Sequence, residues 1–332
     1  MLIENTDSGF YCRAGDFHID PWRPVARAVI THAHSDHAIR GHGHYLCHTD
    51  TLPLLRLRLG KISGQSITYG EPVMVNGVRI SLHPAGHVIG SAQIRVEYQG
   101  EVWVISGDYK PEDDGVSPAF EPVTCTHFIT ESTFGLPIYK WQRQEQVYAD
   151  ILNWIAGNRS EGRHSVLQAY SLGKSQRLIH ALGNHTGPIY VHDSIWRTQE
   201  LLRGMGKSFP ETRPLLDVTN IPPGSVIISP GFTDPTLARI PYASANCSGW
   251  MQVRSGKRWG GGGPGFALSD HADWTGLLEC VKATGAEQVQ VTHGFQAAFS
   301  RFLREQGWDA REVKTHYSSS DQDDPLEAGE DD

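Results

Sequence analysis

The 332-residue chain has little cysteine and no long apolar run. Its five cysteines are odd in number and form no C-x-x-C pair, so we expect neither a disulfide framework nor a cysteine-type zinc site, but reduced, mostly buried thiols. No apolar stretch is long enough to cross a bilayer, and the opening residues, MLIENTD, lack the basic and apolar regions of a secretory signal. These absences predict a cytoplasmic protein with no membrane partner.

The chain also lacks an excess of positive charge, since its formal net charge is −8. Much of that charge lies in residues 321–332, DQDDPLEAGEDD, which hold seven acids and no base. Such a composition buries too little apolar surface to order itself, so we predict that 317–332 form a disordered acidic tail. The tail either repels non-specific DNA or only aids solubility. The remaining body is nearly neutral, and the net charge does not exclude a nucleic-acid partner.

Short apolar or alternating runs fill the first part of the chain, and strands alternate with helices after about residue 141. In the first part we predict a helix at 52–59 and strands at 28–30, 45–47, 78–82, 92–98, 101–105 and 128–130. In the second part we predict helices at 142–157, 174–182 and 195–205, with strands at 166–170, 188–191 and 225–228. Gln99-Gly100 predicts a tight hairpin, and the alternating block predicts a parallel α/β layer.

Histidine is abundant, with 17 residues, and its placement is informative. The segment 31–37, THAHSDH, directly follows the predicted strand at 28–30. If this segment stays extended, His32 and His34 point the same way, and Asp36 and His37 past the turn can face a second ion. Imidazole and carboxylate ligands suit Zn²⁺, Mn²⁺ or Fe²⁺. A dense set of polar side chains at the end of a buried strand therefore predicts a metal site.

Two further side chains follow predicted strands. His87 lies in the turn segment 84–91, PAGHVIGS, and Asp108 follows the strand at 101–105. Alone, a turn histidine is usually only solvated, and an aspartate after glycine is usually a turn former. Together with the 31–37 segment, both become candidate ligands.

These motifs resemble the metallo-β-lactamase superfamily, in which H-x-H-x-D-H, a turn histidine, a strand-end aspartate and a final histidine bind metal. The resemblance implies an α/β fold, an αββα sandwich, and two divalent metal ions, zinc or manganese or else iron. It implies a supporting role for Asp20 and a bridging role for Asp108. One ion would be held by His32, His34 and His87, and the other by Asp36, His37 and His293.

His293 follows Asp108 by 185 positions, a gap that resembles the nucleic-acid-processing β-CASP branch of the superfamily. That branch places an α/β insertion there, which implies a metallo-β-lactamase domain at 1–140 and 251–316 with a β-CASP insertion at 141–250. Glu131 in TESTFG and His271 in LSDHAD match two further motifs of the branch. Within it, the chain is most similar to bacterial ligase-associated DNA damage response exonucleases.

This resemblance implies a metal-dependent nuclease that acts in DNA repair as a 5′ exonuclease on single-stranded DNA, with DNA ligase or helicase partners. Asp36 and Asp108 would act at the metals. His271 would hold a phosphate oxygen or protonate the leaving 3′ oxygen, and Glu131 would keep His271 charged. The alternatives are a capping or surface role for Glu131 and a supporting role beside a ligand for His271.

Substrate contacts are predicted at a glycine turn before a helix, because a helix N-terminus can receive a phosphate. The candidates are Ser171, Lys174, Ser175 and Gln176, and Lys110 lies two residues past Asp108. An ordinary capped helix start is the alternative. The basic run 254–259, RSGKRW, either stacks on a single strand or is a solvated loop.

Three other functions remain open from the sequence. An RNA nuclease of the same branch would have the same active site. A small-molecule metallo-hydrolase is disfavoured by the long gap before His293. A catalytically dead scaffold predicts missing ligands, and none is missing. In the family the last part of the insertion carries a glycine-methionine run, which is replaced here by 243–251, ASANCSGWM, and this leaves the choice of substrate open.

Overall fold

The computed structural model describes residues 1–231, 237, 239–254 and 263–315. The chain forms two compact units. Among the described residues, the first contains Met1–Ile138 and residues 271–315, and the second lies within Tyr139–Asp270. The first unit is thus discontinuous in sequence, because the chain leaves it once and returns. The predicted acidic tail and most of the predicted basic run lie outside the described residues.

One sheet of the first unit is built from the N-terminal strands. In order across the sheet these are β1 (Ile3–Thr6), β2 (Gly9–Cys12), β3 (Phe17–Ile19), β4 (Arg27–Val29), β5 (His44–His48) and β6 (Gly64–Ile67). The first three pair antiparallel, and β3 to β6 pair parallel. Helix α1 (Thr51–Leu59) packs against β5 and β6 through buried leucines. The first three strands and β6 are too short and irregular in pattern to have been predicted.

The second sheet of this unit combines a meander with parallel strands. Its strands are β7 (Val73–Val75), β8 (Val78–Pro84), β9 (Ala92–Tyr98), β10 (Glu101–Ile105), β11 (His127–Glu131), β18 (Gln288–Thr292) and β19 (Asp309–Glu312). The order is β19-β18-β11-β10-β9-β8-β7, with β10, β11, β18 and β19 parallel. Gln99 and Gly100 connect β9 to β10 with φ of 50° and 87°, which confirms the predicted hairpin.

Two apolar cores lie between the layers of the first unit. Side chains such as Ile19 and Trp103 fill the space between the two sheets. The other face of the second sheet packs, through residues such as Phe128, on α6 (Trp274–Thr284) and α7 (Gln296–Glu305). With α1 on the first sheet, this is the predicted αββα sandwich, and the metallo-β-lactamase fold is confirmed.

The second unit has its own parallel sheet. The strands are β12 (His164–Gln168), β13 (Ile189–Val191), β14 (Thr212–Pro214), β15 (Val226–Ser229), β16 (Tyr242–Cys247) and β17 (Gly265–Phe266), in the order β14-β13-β15-β12-β16-β17. The helices are α2 (Gln144–Ser160), α3 (Lys174–Thr186), α4 (Asp193–Gly204), the short α5 (Met251–Arg254) and a 3₁₀ turn (Val218–Asn220). Every strand pair is parallel, which agrees with the α/β layer expected from the sequence.

The second unit extends beyond the boundary predicted at residue 250. Cys247 in β16 pairs with Phe266 in β17, and this pairing carries the unit on to Asp270. The sequence missed the two strands because ASANC is small and polar and β17 has two residues. All five cysteines are free and buried, as expected. None of the helices in the described part of the chain is long and apolar enough to span a membrane.

Candidate metal centre

The candidate ligands meet because parallel strands end at one edge of the second sheet. Asp108 follows β10, Glu131 ends β11 and His293 follows β18, and these three strands are neighbours. His87 lies in the turn from β8 to β9. The motif at 31–37 follows β4 of the other sheet. The structure therefore brings together side chains that are far apart in the sequence.

Three imidazoles and one carboxylate form a first group. His34 Nδ1 lies 3.1 Å from both His32 Nε2 and His87 Nε2. Asp108 Oδ2 lies 3.6 Å from His32 Nε2 and 3.7 Å from His87 Nε2. One ligand atom from each of the four residues lies within 4.8 Å of the others. Ligands of a tetrahedral zinc ion, about 2.0–2.1 Å from the metal, are about 3.3 Å apart. This donor set fits a divalent ion.

A second group contains His32, Asp36 and His37. His37 Nε2 lies 3.5 Å from Asp36 Oδ2 and 3.4 Å from Asp108 Oδ2. The His37 side chain is 3% exposed, and its Nε2 makes no hydrogen bond in the structure. A buried ring nitrogen that faces two carboxylates without a hydrogen bond to either is the arrangement that a shared cation would satisfy.

His293 lies beside the second group without joining it. Its ring stacks on that of His37 at 5.3 Å between centroids, with 19° between the planes. Both histidines and Asp36 line one pocket. Among the described residues, His293 is in none of the three groups whose ligand atoms lie within 4.8 Å. Its role as a ligand stays a prediction.

Asp20 and Thr31 orient the ligands of the second group from behind. Asp20 Oδ2 lies 2.8 Å from His37 Nδ1, which directs Nε2 of that ring inward. The Asp20 carboxylate also accepts hydrogen bonds from the Thr31 backbone, at 2.8 Å, and from its hydroxyl, at 2.6 Å. The Thr31 hydroxyl in turn lies 3.1 Å from His32 Nδ1. Sequence reasoning assigned Thr31 no role, although a hydroxyl residue directly before H-x-H is a usable signal for such support.

Burial and neighbouring charges set the protonation of this centre. Burial, followed by the neighbouring histidines, holds the pKa of His32 well below its usual value, so the ring is neutral as a ligand must be. Burial alone would lower the pKa of His37, but Asp108 and Asp36 outweigh it and raise that pKa well above the usual value. Burial would raise the pKa of Asp108, but His37 and His271 together hold it well below the ordinary range. The Asp108 carboxylate is therefore ionised and favours a cation.

His271 and Glu131 form a closely coupled pair next to the first group. His271 Nδ1 lies 3.1 and 3.0 Å from the two Glu131 carboxylate oxygens. Glu131 is 1% exposed and also accepts a hydrogen bond from the Tyr109 backbone at 2.8 Å. The His271 and His87 rings are 4.7 Å apart. The two residues also form a third ligand-type group with Asp108.

Comparisons with known proteins agree with this fold and site. No family model matches the chain. It is 32% identical over 312 residues, 91% of its length, to a protein of Opitutus terrae named "Probable DNA ligase", and covers 30% of that protein. It is 30% identical over 135 residues to "Endoribonuclease ysh1" of Emericella nidulans, covering 40% of this chain and 14% of that protein. It is 29% identical over 142 residues to "Cleavage and polyadenylation specificity factor 73" of Drosophila melanogaster, covering 40% and 20%.

The chain is homologous to β-CASP nucleases of the metallo-β-lactamase superfamily. It spans less than a third of the length of these curated relatives. A solved structure of a protein of unknown function from Enterococcus faecalis matches with a TM-score of 0.62 and 8% identity, covering 88% of this chain and 80% of that one. That likeness concerns the fold alone.

In the structure, the side chains predicted to contact substrate mainly contact other residues of the protein. Gln176 accepts a hydrogen bond from Gly173 N at 2.7 Å and donates one to Ser171 O at 3.1 Å, while Ser175 donates to Tyr170 O. Both Gln176 and Ser175 are buried. The ordinary capped helix start, which the sequence left open, accounts for these two side chains, so the geometry argues against substrate contact by them.

The two lysines among the predicted contacts are also buried. Lys174 Nζ lies 3.4 Å from Asp270 Oδ2, and Lys110 Nζ lies 2.8 Å from Glu112 Oε2. The half-buried Ser171 hydroxyl lies 2.7 Å from that of Ser194. Substrate contact by Lys174, Lys110 and Ser171 stays a prediction. To contact substrate, each side chain would have to give up its present partner in the protein.

Proposed function

We propose that the protein is a metal-dependent phosphodiesterase that cuts nucleic acid, with single-stranded DNA as substrate and the 5′ end attacked first. The observation that carries the proposal is the convergence of imidazole and carboxylate atoms, 3.1–3.7 Å apart, around Asp108. Such a spacing suits two neighbouring divalent ions, with zinc or manganese as candidates. The proposed setting is DNA repair in the cytoplasm, beside a DNA ligase or a helicase.

In this proposal one ion would be held by His32, His34 and His87, and the other by Asp36, His37 and His293, with Asp108 available to both. Bound divalent ions supply Lewis acidity toward phosphoryl oxygens and lower the pKa of water. The lowered pKa values of His32 and Asp108 favour the neutral imidazole and the ionised carboxylate that metal ligands need, whereas His37, whose pKa is raised, would release a proton on binding an ion.

The chain itself supplies positioning and proton transfer in this proposal. Asp36, at the rim of the pocket, orients the attacking water. Glu131 holds His271 through Nδ1, so we assign Nε2 to the substrate, where it contacts a non-bridging phosphate oxygen or protonates the leaving 3′ oxygen. The phosphodiester lies between this histidine and the proposed ions.

The choice of DNA is supported by the relative that matches almost the whole chain, since its name is that of a DNA ligase. RNA is the second candidate. It is supported by relatives named endoribonuclease, which match 40–47% of the chain. A small-molecule hydrolase is less well supported, because the second unit occupies the gap between Asp108 and His293.

The test uses single-stranded DNA and the matching RNA, each labelled at either end. The protein is stripped with EDTA and resupplied with Mn²⁺ or Zn²⁺, and products are resolved on a denaturing gel. We expect metal-dependent shortening of DNA from the 5′ end.

Preferential cleavage of RNA would make RNA the substrate in place of DNA and would leave the phosphodiesterase assignment intact. Cleavage of neither polymer under any metal would overturn the assignment itself. Metal content measured on the same preparations separates a protein that binds no ions from one that binds them without cutting.

A further inference from the structure

Arg58, in the last turn of α1, approaches the metal motif from the side of the first sheet. The helix that carries it is anchored, since Leu52, Leu55 and Leu59 are buried and the Thr51 hydroxyl donates to Gly90 O at 2.7 Å. A side chain on such an element is held in place by packing. Arg58 itself is half-buried.

The guanidinium of Arg58 donates to three backbone carbonyls of the motif loop. Its Nε donates to Ala33 O at 3.0 Å. One terminal nitrogen donates both to His34 O, at 3.2 Å, and to Ala38 O. A planar guanidinium has donors in a rigid fork, so a single side chain can link several acceptors in a set geometry.

The three carbonyls lie at the two ends of the ligand loop. Ala33 lies between His32 and His34, which present imidazoles to the first group, and Ala38 follows directly on His37 of the second group. Within the loop, His37 N and Ala38 N donate to His34 O at 3.3 and 3.1 Å. Arg58 therefore adds a cross-link between the part of the loop that serves one group and the part that serves the other.

We propose that Arg58 is a positioning residue that sets the spacing between the two metal-ligand groups. The inference rests on the proposed assignment of these groups to two ions. Without the Arg58 guanidinium, the loop keeps its own two backbone hydrogen bonds but loses the hydrogen bonds from α1. A lysine restores the charge but not the three-way geometry, because its ammonium is a point charge on a flexible stem.

The experiment compares Arg58→Lys and Arg58→Met with the wild-type protein after metal removal. Mn²⁺ binding is measured by calorimetric titration, and electron paramagnetic resonance reports the spin coupling that only two close Mn²⁺ ions show. We expect the affinity for one of the two Mn²⁺ ions to fall about 10–100-fold, the usual effect of losing support behind a ligand, together with loss of the coupled signal. Arg58→Lys should retain at most part of the Mn²⁺ affinity and part of the coupled signal.

Arg56 provides the matched control, because it lies on the same helix and its side chain is exposed. Arg56→Lys and Arg56→Met should bind two Mn²⁺ ions with wild-type affinity and coupling. Circular dichroism of the metal-free proteins checks folding, and Arg58→Lys, which keeps the charge and most of the stem, is the variant to interpret should Arg58→Met unfold.

A folded Arg58 variant with wild-type Mn²⁺ affinity and coupling, even at a lower melting temperature, would overturn the inference and leave a purely structural role. A wild-type protein that binds no Mn²⁺ or Zn²⁺ would instead overturn the proposed function. The two failures are therefore distinguishable.

Discussion

The two units of the molecule each bury a cluster of charged side chains, but they arrange them differently. In the second unit, Arg177 is 1% exposed and donates to the carboxylate of Asp270, to Ser269 O and to Gln144 Oε1. Lys174 Nζ lies 3.4 Å from the other Asp270 oxygen. In the first unit, Asp108 faces three imidazole nitrogens at 3.4–3.7 Å.

This difference separates a structural cluster from a candidate metal site. Buried charges that already hydrogen-bond to one another need no further partner. In the second unit the charge of Asp270 is already balanced by the cations of Arg177 and Lys174, whereas the neighbours of Asp108 are imidazoles, which can share a bound cation with it. The balance of charge within each cluster, and not burial alone, therefore indicates which cluster can bind a metal. The following predictions test that distinction.

The largest effect is expected for Asp108→Ala, because this carboxylate faces ligands of both groups. We expect no measurable hydrolysis of a labelled single strand and fewer than two ions per chain by elemental analysis. The exposed Asp7 serves as the control, and Asp7→Ala should keep both properties. Full activity of Asp108→Ala would remove this residue from the centre.

His271→Ala should keep its metal content and slow turnover by a factor on the order of 10²–10⁴, the range for one acid–base group. His271 contacts Glu131 and lies beside the ligand His87, and our proposal assigns it to substrate. Single-turnover rates and metal analysis of the same sample measure both quantities. As a control, His44→Ala removes a histidine whose Nδ1 contacts Ser63. A variant that loses metal as well would make His271 a ligand or a support for one.

Arg177→Met tests the structural cluster. Arg177 donates to three buried acceptors, on Asp270, Ser269 and Gln144, so even with Lys174 near Asp270 we expect a loss of about 3–5 kcal/mol in unfolding free energy, the range for breaking a buried ion pair. Urea unfolding followed by tryptophan fluorescence measures it, and the metal content of the folded protein should stay at the wild-type level. Arg197→Met breaks the exposed pair with Asp193 and should lower stability by less than about 1 kcal/mol. Equal losses in the two variants would contradict the structural role.

Gly294→Ala tests whether His293 is a ligand. Gly294 and Gly285 both have φ of +63°, but a Cβ on Gly294 would overlap Ser132 O and Thr133, whereas Gly285 has nothing within 4 Å. Both changes carry backbone strain of about 1–3 kcal/mol. Only Gly294→Ala should also weaken Mn²⁺ binding, since His293 must move. Unchanged Mn²⁺ titration of that variant would argue against His293 as a ligand.

Much of this site was accessible from the sequence because its signals are local. The segment 31–37 places four candidate ligands within six residues after one strand, and Asp108 and His87 also adjoin apolar runs. The strand-helix alternation after residue 141 likewise depends on local periodicity. The boundary at 250 was placed too early because β17 has two residues and no pattern of its own.

The sequence by itself determined which residue types can bind metal and that they follow strands, because spacing along one strand and the turn after it is set by local geometry. Only the tertiary structure decided which distant side chains meet. It paired β10 with β11 and placed His271 beside the ends of these strands, so that Asp108, Glu131 and His271 share one region. It buried Ser175 and Gln176 in a helix cap. It also brought Arg58 from α1 to the motif loop. These outcomes depend on strand order and on the packing of helices against sheets, which no short stretch of sequence encodes.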